Sequence, residues 1–230
     1  MNPTLHSLCQ RIAYQFKDND LLAEALTHRS IGSRNYERLE FLGDSALDLV
    51  ISHELYVRHP ELDEGALSRL RASLVKGATL CEIARELDLG QHLRLGTGEL
   101  KSGGFERDSI LADAVESLIG AVYLEAGFLV CKDLILRLFA KRLDNLPAVA
   151  DLKDPKTRLQ EKLQGAGLGL PVYELLETSG KSHQQIFTVS CQIPALGVSA
   201  TAQASSRRKA EQLTAKSLLG NTQILDLKAS

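Results

Sequence analysis

The sequence contains little cysteine, and the thiols that it does contain are widely separated. Cys9, Cys81, Cys131 and Cys191 form no CxxC pair and have no companion histidine at zinc-ligand spacing. This distribution argues against a zinc site and against a disulfide framework. Because free thiols are typical of a reducing compartment, we expect a cytoplasmic protein.

A long apolar run is also lacking. The longest one extends from Leu118 to Val130, contains Glu125 and is too short to span a bilayer. The N-terminus, MNPTLHSLCQRIAYQF, has no apolar core of signal-peptide length behind a basic start. We therefore expect a soluble protein that does not enter a membrane.

The whole chain has no strong net charge, since 27 basic and 29 acidic residues leave −2 over 230 residues. Its two parts nevertheless differ. Residues 151–230 carry 10 basic and 7 acidic side chains, whereas residues 1–150 carry 17 and 22. An acidic first part and a basic second part indicate that the two have different tasks.

Hydrophobic spacing predicts an almost entirely helical region over residues 1–145. The predicted helical segments begin near Asn19, Asn35, Gly65, Lys76, Asp108 and Phe128. Residues 146–153 have little periodicity and are predicted to be a linker. Beyond it we expect a helix from Asp154-Pro155 to about Gly165, strands over 172–178, 185–193 and 197–204, and a helix over 206–219. The order α-β-β-β-α predicts a small α+β domain.

The segment ERLEFLGDS, residues 37–45, places three carboxylates on one stripe of a helix. Glu37, Glu40 and Asp44 fall within an arc of about 60° at 100° per residue. Asp113 and Glu116 form a second pair at i, i+3 in an equally apolar helix. Carboxylates surrounded by apolar residues repel one another and lose hydration, so they need a cation. An all-oxygen set of this kind favours Mg²⁺ or Mn²⁺.

The alternative is that these acids form ordinary salt bridges. Candidate partners are Arg38, Arg69, Arg71 and Arg107. His28 is the one histidine near the motif, and we interpret it as a hydrogen-bonded structural residue rather than a catalytic one. The spacing of the acids does not by itself decide between salt bridges and a metal.

The motif ERLEFLGDS resembles the signature of the ribonuclease III family. The resemblance continues in order along nearly the whole chain, through THRS (27–30), LDEG (62–65), LRLGTGELKSGG (93–104) and ILADAVESLIGAVYLEAG (110–127). It implies that Glu40, Asp44, Asp113 and Glu116 ligate a catalytic divalent metal, Mg²⁺ with Mn²⁺ as a substitute. It also implies that Glu37 and Glu64 lie beside the site and assist catalysis. One departure is Tyr36, where the family usually has asparagine.

The stretch GTGELKSGG could be mistaken for a phosphate-binding loop. Leu100 rather than glycine precedes Lys101, and no strand leads into the loop, so we expect no nucleotide cofactor. A flexible loop near the substrate is the better interpretation, with Lys101 and Arg107 as candidate contacts to a phosphate backbone.

The second part of the chain has features suited to RNA. A polar stripe on its first helix suits the 2′-hydroxyls and base edges of the shallow minor groove of A-form RNA. This stripe comprises Thr157, Gln160, Glu161 and Gln164. Arg207, Arg208 and Lys209 occupy the first turn of the last helix, where the helix dipole already attracts anions, so phosphate is the natural partner. His183 lies in a loop that could add a third contact.

These features resemble the double-stranded RNA-binding domain. The match rests on KDPKTRLQEKLQ, the strand with Phe187 and SSRRKAEQ. Ala202 and Ala204 depart from the family, which often has glycine there, and Glu211 stands where a lysine is common. We therefore expect an all-α ribonuclease III endonuclease domain over 4–128, its last helix continuing to about 145, a linker over 146–153, and the RNA-binding domain over 154–223.

The resemblance implies an endoribonuclease that cuts both strands of double-stranded RNA and leaves 5′-phosphates and short 3′ overhangs. It implies a homodimer whose two acidic clusters face one duplex, with the apolar Phe41 as a candidate dimer contact. Precursors of ribosomal RNA, and some messenger and transfer RNA precursors, are the implied substrates. A non-catalytic RNA-binding regulator and an acidic protein-binding scaffold are the competing classes.

Overall fold

The computed structural model describes residues 3–181 and 184–227, and the chain forms two compact units, Met1–Pro147 and Ala148–Ser230. The first unit is helical, as predicted. Its helices are α1 (Pro3–Arg11), α2 (Asn19–Ala25), α3 (Glu37–Arg58), α4 (Glu64–Val75), α5 (Gly77–Glu86), α6 (Thr97–Lys101) and α7 (Asp108–Leu143). Asp18 and Asp63 cap α2 and α4 by accepting hydrogen bonds from backbone N–H groups of their first turns.

Helix α7 is the centre of the first unit. It packs against α3 along much of its length and also against α5 and α2. Val115, Ile119 and Val122 are completely or almost completely buried in this core. The side chains that meet here are mostly aliphatic, so burial of apolar surface is the main stabilising contribution.

The α3 and α7 backbones touch at a pair of glycines. A Cβ atom added to Gly43 would lie 1.8 Å from the carbonyl oxygen of Glu116. A Cβ on Gly120 would lie 2.1 Å from the carbonyl oxygen of Leu39. Only glycine permits so close an approach at these two positions, and this contact sets the spacing of the side chains that flank it.

Helix α7 is long enough and apolar enough to cross a membrane when judged by length and composition alone. The uninterrupted apolar run counted in the sequence is therefore shorter than the apolar stretch of this helix. Half of its most apolar window is buried within the protein. Glu125 accepts hydrogen bonds from the Tyr14 hydroxyl and from the backbone N–H groups of Lys17 and Asp18. These contacts are those of a core helix in a folded domain.

One residue inside α7 is not helical. Gly127 has φ of 80° and ψ of 179°, a conformation that L-amino acids with side chains avoid. The predicted helix beginning near Phe128 corresponds to the segment that follows this break.

The second unit contains α8 (Val149–Leu152), α9 (Pro155–Gly165), β1 (Val172–Ser179), β2 (Ile186–Ile193), β3 (Val198–Ala204), α10 (Arg207–Leu219) and α11 (Thr222–Leu225). The strands form an antiparallel sheet in the order β1-β2-β3. A small core joins one face of this sheet to the helices, and Leu159, Leu163, Cys191 and Leu218 are buried in it. The predicted α-β-β-β-α order is confirmed.

Two local predictions were wrong. The stretch expected to be a flexible loop contains α6, whose first turn follows Gly96, and the Gly96 N–H donates to the Ser30 hydroxyl at 2.8 Å. The boundary between the two compact units falls within residues 146–153, where the linker is expected, and the single-turn helix α8 also lies there. The alternation of polar and apolar residues over 186–191 predicts a half-buried β2, yet Thr188 and Ser190 are buried as well as Val189 and Cys191. It is the central strand, with β1 and β3 along its edges and the small core against one face.

We predict that Gly43→Ala destabilises the first unit by about 3 kcal/mol, because the methyl group would force the two helices apart. Urea unfolding measures the change. Gly98→Ala is the matched control, because a Cβ there meets no atom within 4 Å. An increase in stability of about 1 kcal/mol, the usual gain for glycine to alanine in a helix, would contradict the proposed backbone contact.

Candidate functional site

The glycine contact between α3 and α7 brings carboxylates from the two helices together. Glu40 lies one turn before Gly43, and Asp113 and Glu116 lie on the facing turns of α7. One oxygen atom from each of these three side chains lies within 4.8 Å of the others. We refer to Glu40, Asp113 and Glu116 as the acidic cluster.

Burial and mutual repulsion make these carboxyl groups hard to ionise. Burial, followed by the charges of Asp113 and Glu37, raises the pKa of Glu40 to about 7. Burial, followed by the charges of Asp44 and Glu40, raises the pKa of Glu116 to about 8. The pKa of Asp113 is also raised by burial, although a hydrogen bond from Tyr36 partly offsets this. The cluster therefore lacks compensating positive charge.

Asp44 lies outside the acidic cluster. It is exposed on α3, one turn after Glu40, yet its negative charge is the strongest of the charges that raise the pKa of Glu116. Asp48, one turn further on, was missed by the sequence reasoning. Its Oδ1 is buried and has no hydrogen-bond partner among the described residues. The i, i+4, i+8 spacing of Glu40, Asp44 and Asp48 was the signal that could have identified it.

The arginines considered as salt-bridge partners do not neutralise these acids. In the described part of the chain, neither the acidic cluster nor Asp44 forms an ion pair, and Arg107 instead pairs with Glu99 at 2.8 Å. The nearby cation is Arg29, from THRS, which lies 3.4 Å from Glu37 and lowers the pKa of Glu40 slightly. The salt-bridge alternative is therefore not what the structure shows.

Two rings from the sequence motifs support the cluster. Tyr36 is buried, and its hydroxyl donates to Asp113 Oδ2 at 3.5 Å. His28 lies edge-on to the Tyr36 ring, with 5.6 Å between centroids, and its Nδ1 is 2.8 Å from the Ser30 hydroxyl. His28 is thus buried and hydrogen-bonded, as the structural interpretation predicted.

The two acids expected to assist catalysis, Glu37 and Glu64, occupy different places. Glu37 begins α3 beside the cluster and pairs with Arg29. Glu64 begins α4, accepts a hydrogen bond from Ser68 at 2.7 Å and lines a groove with Tyr56 and Arg71. Glu64 is therefore not part of the acidic cluster.

The donor set fits a hard divalent cation. It offers only carboxylate oxygens. Two of the carboxyl groups, Glu40 and Glu116, have raised pKa values because little positive charge lies nearby. An ion bound there would offset the repulsion among them. The acidic cluster is compatible with a divalent metal site.

The predicted RNA-binding side chains lie on the surface of the second unit. Thr157, Gln160, Glu161 and Gln164 are all exposed along α9, while Leu159 and Leu163 face the core. Lys153 Nζ lies 2.7 Å from Glu161, so this carboxylate already has a partner. His183 lies outside the described residues.

The basic residues of α10 are exposed at its first turn. Ser206 caps the helix by accepting from the Lys209 N–H at 3.3 Å. Arg207 pairs with Glu211 at 3.0 Å, whereas Arg208 and Lys209 form no ion pair within residues 3–181 and 184–227. Glu211 also accepts from Lys156 at 2.6 Å. Glu211, which stands where the family commonly has a lysine, therefore pairs with two cations.

The two other side chains expected to contact the RNA phosphate backbone, Lys101 and Arg107, are placed differently. Lys101 ends α6 and is exposed. Arg107 is held by Glu99 and donates to the Ser102 hydroxyl at 3.1 Å. It is therefore less free to reach a phosphate than the sequence suggested.

Comparison with known proteins identifies the family. A family model described as Ribonuclease-III-like matches residues 18–143, just over half of the chain, and a model of the double-stranded RNA binding motif matches residues 155–221. This chain belongs to the ribonuclease III family. It is 56% identical to Ribonuclease 3 of Alkalilimnicola ehrlichii over 93% of both chains. It is 55% identical to that of Hahella chejuensis over 95% of this chain and 97% of the relative.

Solved structures agree with the family assignment. The nuclease domain of ribonuclease III from Campylobacter jejuni matches 61% of this chain and 99% of its own length, with a TM-score of 0.60 and 46% identity. A second structure of that domain covers 64% of this chain and all of its own, at the same TM-score and 44% identity. The protein is thus a double-stranded RNA endoribonuclease of the ribonuclease III type, with a helical nuclease domain and a double-stranded RNA-binding domain.

We predict that the metal-free protein loses stability as the pH rises from 5 to 8. The pKa values of about 7 for Glu40 and about 8 for Glu116 exceed the value of about 4.3 for an unfolded glutamate, so the folded state binds these protons more tightly. Their stabilising contribution is complete below about pH 4 and disappears as the pH passes 7 and then 8. Thermal unfolding in a chelator at several pH values measures this loss.

Glu116→Gln should make that pH profile flatter. Glu106→Gln, at an exposed position outside the acidic cluster, is the control and should leave the profile unchanged. Parallel profiles for the wild type and Glu116→Gln would show that ionisation of Glu116 does not cause the loss of stability with rising pH.

Proposed function

We propose that Glu40, Asp44, Asp113 and Glu116 together hold Mg²⁺, with Mn²⁺ as a substitute, for hydrolysis of phosphodiester bonds. The observation that carries the proposal is the half-buried acidic cluster, three carboxylates on facing helices with no cationic partner among the described residues. Asp44, exposed next to them, would join as a ligand. Arg29 remains beside Glu37 and does not fill the cluster.

The residues of this chain have defined tasks in that reaction. A bound divalent ion supplies Lewis acidity, which activates water and offsets the negative charge of the phosphate. Glu40 and Glu116 would hold the ion in their ionised form, because the ion would supply the compensating positive charge that a proton otherwise supplies. Tyr36 orients Asp113 through its hydroxyl, and Glu37 and Glu64 assist catalysis from beside the site.

The duplex is held by the second unit. The exposed polar stripe of α9 supplies hydroxyl, amide and carboxylate groups for the minor groove. Arg207, Arg208 and Lys209 present positive charge at the N-terminus of α10 for phosphate. His183 is proposed as a third contact by its place in the sequence. Recognition of this kind depends on duplex shape rather than on base sequence.

We also propose a homodimer as the active form. The structure of the Campylobacter jejuni nuclease domain describes a region involved in dimer formation. In this chain, Phe41 is 76% exposed and lies beside a groove of about 700 Å³ that Leu21, Leu42 and Leu124 help to line. A two-fold dimer matches the pseudo-two-fold symmetry of a duplex, so two sites would cut both strands and leave 5′-phosphates with short 3′ overhangs.

The proposed substrates are structured precursors of ribosomal RNA and some messenger and transfer RNA precursors, which contain long duplex regions. A cytoplasmic location is supported by the four cysteines, all of which are free and buried. The domain limits proposed from the sequence, 4–128, 146–153 and 154–223, are compatible with a boundary between the compact units after Pro147.

We predict that Glu116→Gln lowers cleavage of a long RNA duplex by several orders of magnitude and leaves duplex affinity unchanged, because it removes a metal ligand and spares the second unit. Cleavage is measured in Mg²⁺, in Ca²⁺ and in a chelator, with binding measured in the chelator. The wild type and the control Glu106→Gln should give short duplex products in Mg²⁺ only.

Cleavage by Glu116→Gln at a comparable rate would show that the site is assigned wrongly. A wild type that binds the duplex but leaves it uncut under all three conditions would instead favour a non-catalytic RNA-binding regulator.

We predict that the double variant Arg208→Ala, Lys209→Ala weakens duplex binding for every sequence and lowers the slope of log affinity against log salt by about 2, since each lost phosphate contact removes about 0.9. Titration of labelled duplexes at several salt concentrations measures both effects. Lys216→Ala, at the opposite end of α10, is the control. Equal losses in the control and the double variant would argue against a phosphate site at the first turn.

A further inference from the structure

An acidic residue lies at the centre of the basic end of the second unit. Glu211 is on α10, one turn after Arg207, and its side chain is only 13% exposed. Its Oε1 accepts from Arg207 Nε at 3.0 Å, and its Oε2 accepts from Lys156 Nζ at 2.6 Å. One carboxylate therefore holds two cations from two different helices.

Lys156 is held from a second direction. Its ammonium group lies 4.4 Å from the centre of the Tyr173 ring on β1, a distance typical of a cation–π contact. Beside it, Gln212 Nε2 donates to Asp154 Oδ2 at 2.5 Å, which joins the same two helices. The N-termini of α9 and α10 are thus adjacent, and a polyanion at one lies close to the other.

The geometry determines how much of the positive charge is available. Lys156 and Arg207 both point their donors at Glu211, and hydrogen bonds from Lys156 and then Arg207 lower the pKa of Glu211, which keeps it ionised. Arg208 and Lys209, in contrast, form no ion pair with any described residue. A phosphate that approaches Arg207 or Lys156 must compete with a carboxylate already in place, and it is repelled by that carboxylate.

We propose that Glu211 limits the affinity of this protein for double-stranded RNA by holding Arg207 and Lys156 in ion pairs within the protein. The inference rests on the proposed role of α9 and α10 in duplex binding. Glu211 then sets the strength of binding without contacting RNA favourably, and the duplex is held mainly by the cations that remain unpaired.

Glu211→Gln tests the proposal because glutamine keeps the shape and a hydrogen-bond acceptor but removes the charge. Binding of a labelled duplex of about 30 base pairs is measured in a chelator at several salt concentrations. Arg207 is exposed, and an ion pair with an exposed cation contributes up to about 1 kcal/mol, so freeing the cations should tighten binding about threefold to fivefold. The salt slope should steepen by about 1 to 2, one step for each phosphate newly contacted.

Glu177→Gln is the matched control, since it removes the same charge from an exposed position on β1 in the same unit. Lys156→Gln added to Glu211→Gln should remove part of the gain. Thermal unfolding of each variant verifies that the second unit remains folded.

Each outcome distinguishes the inference from the proposed function. Tighter binding by Glu211→Gln and not by Glu177→Gln supports it. Unchanged binding by Glu211→Gln, with a wild type that binds normally, overturns it. Weaker binding also overturns it and indicates that Glu211 positions the cations instead. Equal tightening by both variants overturns it in favour of a general effect of net charge. If neither the wild type nor any variant binds the duplex, the proposed RNA-binding function fails and the inference fails with it.

Discussion

The backbone contact between α3 and α7 at Gly43 and Gly120 is the constraint on which the nuclease domain depends. Carboxylates repel one another and separate when they are free to do so. Here the two helices have no side chains between them at this point, so Glu40 meets Asp113 and Glu116 regardless of their charge. The aliphatic core around α7 holds the helices in place. The mutually repelling carboxylates therefore lie on two helices that the core prevents from moving apart.

This arrangement connects the stability of the domain to its chemistry. A cluster whose pKa values are raised to about 7 and 8 destabilises the folded state when it is ionised, and a bound cation reverses that effect. The same lack of positive charge makes the cluster compatible with a divalent cation. Arg29 moderates the repulsion from the side of Glu37 without occupying the cluster.

The RNA-binding domain has the opposite arrangement. It gathers cations at helix N-termini, where the dipole disfavours them and phosphate is the natural compensating charge. Glu211 compensates two of these cations within the protein, which lowers the cost of bringing them together. In both domains, therefore, the fold places like charges together and leaves them partly uncompensated.

The sequence by itself determined the helical first unit, the α-β-β-β-α order of the second and the residues of the acidic motif. Those features follow from local periodicity, from capping residues such as Asp154 and Ser206, and from short motifs. Each of these signals involves only residues that are close together in the sequence. The sequence did not predict α6 or α8, because single-turn helices have too few residues for a periodic pattern. The apolar character of α7 was underestimated, because run length counts only consecutive residues and the apolar stretch of this helix extends beyond Leu118–Val130.

Only the tertiary structure decided which oxygens meet. In the folded protein Glu40 lies with Asp113 and Glu116, whereas Asp44 lies outside the acidic cluster. Asp48 has a buried carboxylate oxygen that the sequence did not indicate. The cation beside the cluster is Arg29, which was not among the arginines considered as salt-bridge partners. The tertiary structure likewise made Glu211 the partner of Lys156, 55 residues earlier in the chain. Such contacts depend on how close two helices approach and on which side chains lie between them. No pattern within one helix contains that information, and for this reason the site was predicted as a set of residues but not as a geometry.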